Sequence, residues 1–169
     1  MEIKNFSQWL AEFLNAPQTE IDSLLLNQTA LQFHVTWSIF EAKCFDGYLT
    51  RDKIEEFAQQ ISESTPFPVT NINFIAAHFH DRYQKKELRR KLLHQDKSKK
   101  FSEIIERNFD NISSTELIFL SVFIVYRFRN NIFHGNKHFQ KWTNYEKQID
   151  YCIFLMQKLI SHSKFIQKK

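Results

Sequence analysis

Apolar side chains recur along most of this chain at intervals of three and four residues, the spacing that gives a helix one apolar side. Pro17, Gly47 and two prolines in the segment 62–69 interrupt these runs and mark loops between them. The pattern therefore predicts an all-α protein, a bundle of about five to seven helices. The predicted helices cover residues 6–14, 19–47, 51–61, 72–93, 101–109, 114–134 and 143–163.

The helix predicted after Ser113 differs from the others because it is apolar on nearly every side. Ser113 and Glu116 stand in capping-box register at its start, and Gly135 suits the position just past its end. A helix without a polar face must be covered on several sides. We expect one side to face the core of its own chain and another to face a second copy of the protein.

Composition fits a single helical domain spanning residues 1–169. The chain has two glycines and three prolines, which leave little material for turns, and 18 phenylalanines, which supply a dense core. Its length of 169 residues is enough for one sizeable core. Cys44 and Cys152 are far apart in sequence, so we expect neither a disulfide framework nor a zinc site.

Targeting and membrane signals are not predicted. The N-terminus lacks a basic region followed by an apolar one, which a signal peptide requires. The longest apolar run, residues 117–126, is too short to span a bilayer. We therefore expect a soluble, cytoplasmic protein that does not bind membranes.

Charge is distributed unevenly along the chain. The net charge is +4 and the isoelectric point is near 9.0. The segment 82–100 carries nine lysines and arginines against two acidic residues, a local net charge of +7 that leaves −3 for the rest. Within the predicted helix 72–93, basic side chains that can follow an RNA backbone are Lys85, Lys86, Arg89 and Arg90. A solvated helix face explains the same charges, and both explanations stay open.

Candidate chemistry is concentrated at the end of the apolar helix. Arg129 and Asn130 are followed, after three residues, by His134. Histidine suits acid–base catalysis near neutral pH, and the arginine fork matches phosphate oxygens and stabilises charge on them. These residue types suit cleavage of RNA through the ribose 2′-hydroxyl without a metal. In a helix Asn130 and His134 share a face, whereas Arg129 points elsewhere unless the helix ends before His134.

An ordinary helix end explains the same spacing. Cations in the last helical turn are favoured by the helix dipole, and glycine commonly follows a helix. With seven histidines in the chain, an arginine followed five positions later by a histidine also arises by chance. The motif therefore needs support from its surroundings.

Glu41 is a candidate supporting residue because it lies within an aromatic stretch. A carboxylate among apolar neighbours usually needs a partner. We expect it to pair with Arg129 or Arg127 and to orient the guanidinium; a carboxylate that reaches solvent is the alternative. No set of metal-binding side chains at suitable spacing and no glycine-rich phosphate loop is found, so neither a metal nor a cofactor is predicted.

Arg129, Asn130, His134 and Gly135, at the end of an apolar helix in an all-helical chain, resemble the signature of the HEPN family of ribonuclease domains. That signature is an arginine, four to six residues and a histidine, often with a polar residue directly after the arginine. The motif covers few residues, while the helical layout fits most of the chain. The resemblance implies a HEPN-like bundle that dimerises through the motif helices around a shared cleft. Arg129 and His134 would be catalytic and Asn130 would support them, with Asn131 and Arg127 as further phosphate or substrate contacts.

The resemblance also implies a biological setting. Many HEPN domains are metal-independent endoribonucleases of toxin–antitoxin, phage-defence or RNA-processing systems. The expected activity is RNA cleavage to a 2′,3′-cyclic phosphate and a 5′-hydroxyl, with an antitoxin or other defence protein as a partner. Asn136 stands where some HEPN toxins carry a tyrosine that a partner modifies, which argues against that form of neutralisation. Two alternatives stay open: a non-catalytic module that binds RNA or protein, and a helical structural subunit of a larger complex.

Overall fold

The structure, a computed structural model, describes residues 5–64, 67–133 and 144–166, and the regular structure in these ranges is entirely helical. Single 3-10 turns lie at Val69–Asn71 and Phe109–Asn111. The prediction of an all-α protein is confirmed, whereas the HEPN-like arrangement stays a prediction. The α-helices in these ranges are α1 (Phe6–Leu14), α2 (Gln18–Leu25), α3 (Gln28–Cys44), α4 (Arg51–Ser64), α5 (Asn73–Gln84), α6 (Lys86–Leu93), α7 (Lys99–Glu106), α8 (Ser114–Phe133) and α9 (Glu146–Ile166).

These ranges hold more helices than predicted because two of the predicted helices are divided. The segment 19–47 forms α2 and α3, which are separated at Asn27. The Asn27 side chain accepts a hydrogen bond from the Thr29 N–H at 2.9 Å, and asparagine favours such a cap over the interior of a helix. Helix α2 begins at Gln18, one residue before the predicted start.

The predicted helix 72–93 is divided at Lys85. The backbone of this residue is extended, with φ −67° and ψ 109°, and it separates α5 from α6. The basic side chains of this segment therefore do not continue along one helix. Lys85, Lys86 and Arg90 are nevertheless all exposed.

Helix α8 is the central helix of the bundle, because α4, α5, α6, α7 and α9 all pack against it. Every side chain from Leu117 to Val125 is buried. The predicted capping box is present at its start: the Ser113 N–H donates to Glu116 Oε2 at 3.0 Å, and the Glu116 N–H donates to Ser113 Oγ at 3.3 Å. Helices of the same chain thus cover α8 on its apolar sides. A second copy at the motif end of this helix stays a prediction.

Helix α3 packs along α9 and buries Trp37 and Phe40. Its outer side carries an apolar row in which every member is at least 45% exposed, made of Leu31, Val35 and Ile39. Such a row differs from the singly scattered apolar side chains of an ordinary surface.

Helices α1 and α2 form a hairpin with a small core of its own. The buried side chains of that core are separate from the main core, and they are Leu10, Ala11 and Ile21. Three exposed aromatic side chains stack along the outside of α1: Phe6, Trp9 and Phe13. The organisation of residues 1–169 as one domain stays a prediction.

None of the helices in the described ranges is both long enough and apolar enough to cross a membrane. Neither Cys44 nor Cys152 forms a disulfide. Burial raises the pKa of the Cys44 thiol to about 11, so this thiol stays protonated at neutral pH.

Replacement of Asn27 by alanine is expected to lower the free energy of unfolding by about 1 kcal/mol, because the Thr29 N–H loses its acceptor. Asn27→Asp keeps an acceptor and is the matched control, with near wild-type stability. Urea titration followed by circular dichroism measures both. Equal losses in the two variants, or no loss in Asn27→Ala, would contradict the capping role.

Candidate active site at the end of helix α8

The polar residues of the predicted motif diverge around the last turns of α8. Positions 127 and 131 lie one turn apart on the same face, while position 129 points to the opposite side. Arg127 and Asn131 accordingly contact α6, and Arg129 contacts α3. Asn130 lies between these two faces. It contacts Arg129 on one side and lines a pocket together with Arg127 on the other.

Arg127 and Asn131 bind the C-terminal end of α6. Arg127 Nη2 donates to the Leu93 carbonyl at 2.7 Å, Arg127 Nε donates to the Leu92 carbonyl at 3.3 Å, and Asn131 Nδ2 donates to the Leu92 carbonyl at 2.8 Å. Carbonyls at a helix end lack partners within the helix, and a cation there complements the helix dipole. Burial lowers the pKa of Arg127, and the charge of Asp96 opposes this effect. Both side chains are buried, so their contacts favour a structural role over the predicted contact with phosphate.

Arg129 and Asn130 are partly exposed and contact each other. Arg129 Nη1 donates to Asn130 Oδ1 at 3.2 Å. The guanidinium carbon lies 5.6 Å from the centre of the Trp37 ring on α3, a cation–π contact that orients the group. Trp37 thus contacts the Arg129 guanidinium, a contact that the sequence pattern did not predict.

His134 lies outside the described residues, as do Gly135 and Asn136. The described part of α8 ends at Phe133. The distance from His134 to Arg129, and the cleft that the two are expected to share, therefore stay predictions.

Glu41 does not form the ion pair predicted for it. Its Oε1 accepts a hydrogen bond from the Leu49 N–H at 2.9 Å, in the turn between α3 and α4. The carboxylate that Arg127 contacts is Asp96, at 3.5 Å, and no ion pair between described residues joins Glu41 to Arg129. The prediction is wrong because a backbone amide close in sequence satisfies the carboxylate.

A pocket of about 650 Å³ opens beside Asn130, between the start of α4, the end of α6 and the end of α8. Asp96 lies in its wall, 3.2 Å from Arg51 Nη1 and 3.5 Å from Arg127 Nη1. Sequence reasoning missed this pocket because its residues are far apart along the chain and no spacing rule connects them. The side chains that line the pocket include Arg51, His94, Asp96, Lys97, Arg127 and Asn130.

One of the four basic residues predicted to bind RNA forms an ion pair within the protein. Arg89 Nη1 contacts Glu106 Oε1 at 3.1 Å, and only 16% of the Arg89 side chain is exposed. Lys85, Lys86 and Arg90 are exposed on the surface near or on α6. Three of the four predicted residues thus present their charge to solvent.

Two histidines outside the motif, His78 and His80, are held by the surrounding bundle. His80 is buried, and its Nε2 contacts the Arg107 carbonyl at 3.0 Å. His78 packs edge-on against Tyr151, and burial lowers the pKa of its imidazole. In the part of the chain that the structure describes, no three histidine, cysteine or acidic side chains group closely enough to hold a metal ion.

No family model, curated protein or solved structure matches this chain. The likeness to HEPN domains therefore rests on the motif residues Arg129, Asn130 and His134 and on the helical layout. The geometry defines an all-α bundle whose central helix ends beside a cationic pocket.

Arg127→Ala is expected to lower the free energy of unfolding by about 3 kcal/mol, because Asp96 and the α6 carbonyls lose a buried partner. The matched control is Arg129→Ala, the same change two positions along the helix at a partly exposed site, with an expected loss of about 1 kcal/mol or less. Chemical denaturation of both variants measures the difference. Similar losses at the two positions would show that Arg127 does not hold α6.

Proposed function

We propose that the chain is a metal-independent endoribonuclease of HEPN type that acts as a toxin or phage-defence effector. The observation that carries the proposal is the contact between Arg129 and Asn130 at the end of the central helix, beside a pocket rich in positive charge. Arg129 lies against the Trp37 ring, which orients its guanidinium, and the arginine fork matches phosphate oxygens. His134 follows Asn130 by four positions in the sequence.

In the proposed reaction the ribose 2′-oxygen attacks the adjacent phosphorus while His134 accepts the hydroxyl proton. The bond from phosphorus to the 5′-oxygen breaks, and this oxygen takes up a proton from water. The products are a 2′,3′-cyclic phosphate and a 5′-hydroxyl. Arg129 stabilises the negative charge of the transition state, and Asn130 orients Arg129 through its hydrogen bond.

RNA and a second copy of the chain are the proposed partners. Dimerisation through the ends of the motif helices would bring two motifs around one cleft. Support comes from the partial exposure of Arg129 and Asn130 and from the resemblance to HEPN domains. An antitoxin or another defence protein is the further partner in this proposal.

Cleavage of RNA in the presence of EDTA tests the proposal. Wild type is expected to release 2′,3′-cyclic phosphate ends, whereas Arg129→Ala and His134→Ala are expected to cleave at least about 100-fold more slowly, because they lack the charge-stabilising group and the base. His34→Ala changes an exposed histidine on α3 and is the matched control, with wild-type activity. Unchanged cleavage in both motif variants, with folding verified by circular dichroism, would contradict the proposed chemistry. Relief of growth arrest by the double variant tests the toxin assignment.

A non-catalytic module is the second candidate, and the exposed apolar rows favour a form that binds protein. Phe6, Trp9 and Phe13 on α1 are 60%, 45% and 72% exposed. Contiguous apolar surface of this kind often marks contact with another protein, including contact within a larger complex. In the cleavage experiment, RNA retained but not cut by wild type would favour an RNA-binding module. RNA neither retained nor cut would favour the protein-binding or structural alternatives.

Exchange of Lys85, Lys86, Arg89 and Arg90 for glutamine is expected to weaken RNA binding. The slope of log Kd against log salt concentration should fall by about 0.7 for each phosphate contact that is lost. Arg89→Gln alone is the internal control, with little change expected because Arg89 is paired with Glu106. Fluorescence anisotropy over a salt series measures the slope. A slope equal to that of wild type would assign these charges to a solvated helix face.

A further inference from the structure

We infer that the pocket between α4, α6 and α8 is a phosphate subsite that holds an RNA strand next to Arg129. The inference deepens the proposed function, on which it rests for the identity of its ligand. The volume of about 650 Å³ falls in the range of ordinary ligand pockets and can hold a phosphate with its sugar.

Positive charge dominates the pocket. Among the described residues that line it, Asp96 is the only acidic one, against Arg51, Lys97 and Arg127. Two of these cations share the Asp96 carboxylate, at 3.2 Å and 3.5 Å. One negative charge thus faces three positive ones, and the excess favours an anion.

The ends of the neighbouring helices reinforce this charge. Arg51 is the first residue of α4, whose N-terminus carries partial positive charge from its backbone amides. The C-terminus of α6 would carry the opposite charge, but Arg127 and Asn131 cover its carbonyls. The carbonyls at the negative helix end are therefore covered, while the first residue at the positive end, Arg51, lines the pocket.

Arg51 and Lys97 are the groups suited to contact the ligand. Arg127 is buried and donates its hydrogen bonds to the α6 carbonyls, so it forms part of the pocket wall. Arg51 uses Nη1 on Asp96, and 48% of its side chain is exposed, so the rest of its fork can receive phosphate oxygens. Lys97 is also exposed, and its ammonium group can contact phosphate oxygens in the same way.

Asn130 connects the pocket with the motif. Its side chain lines the pocket, and its Oδ1 accepts the hydrogen bond from Arg129. A strand with one phosphate in the pocket would therefore pass Asn130, the residue that the Arg129 guanidinium contacts. The pocket would set the register of the RNA, while the motif residues carry out the chemistry.

Binding of a fluorescent 2′-O-methyl RNA oligonucleotide tests this subsite apart from catalysis, because the oligonucleotide lacks the attacking hydroxyl. Lys97→Gln is expected to raise Kd and to lower the salt slope by about 0.7, and Arg51→Gln/Lys97→Gln by about 1.4. Lys99→Gln removes the same charge outside the pocket, from a side chain that is 90% exposed, and is the matched control with wild-type binding. Thermal melts verify that each variant is folded. If exchange of Arg51 disturbs the fold, the binding of Lys97→Gln alone tests the subsite.

Cleavage of unmodified RNA by the same proteins separates this inference from the proposed function. Pocket-dependent binding without cleavage by wild type would uphold the subsite and refute the nuclease. Cleavage by wild type with equal binding by Lys97→Gln, the double variant and Lys99→Gln would uphold the nuclease and refute the subsite. Wild-type protein that fails to bind the oligonucleotide would likewise refute the subsite.

Discussion

Burial of α8 on its apolar sides is the constraint on which the bundle depends. No single neighbour can cover a helix whose side chains from Leu117 to Val125 are all buried, so α4, α5, α6, α7 and α9 surround it. Polar side chains appear where this enclosure ends, in the last turns of α8. The candidate site therefore sits on the most deeply anchored helix of the described chain, which gives its residues a rigid base.

The last turns of α8 combine a structural face with a candidate functional one. Arg127 and Asn131 satisfy the carbonyls that end α6, while Arg129 and Asn130 contact each other at the surface. Two arginines two positions apart thus have different surroundings: one meets helix carbonyls and a buried carboxylate, and the other lies over an indole ring. Distances and burial distinguish them, although in the sequence they look alike.

Local patterns predicted the helical class, the capping box at Ser113 and the limits of α1, because these depend on neighbours along the chain. The breaks at Asn27 and Lys85 were missed because apolar spacing continues across them while the backbone turns. Glu41 was assigned the wrong partner, and the pocket beside Asn130 was not foreseen, because both depend on contacts that spacing does not encode. The roles of Arg129 and His134 in catalysis, and the second copy at the motif helices, stay predictions.

The α1–α2 hairpin has a core of its own, so its stability against local unfolding differs from that of the main bundle. Leu10, Ala11 and Ile21 bury far less apolar surface than the main core does, and a hairpin of this kind opens at a lower free energy than the whole bundle. Its opening would let the exposed side chains of Phe6, Trp9 and Phe13 move together with α1, while α8 stays folded. Local unfolding of this hairpin would therefore leave the end of the central helix in place.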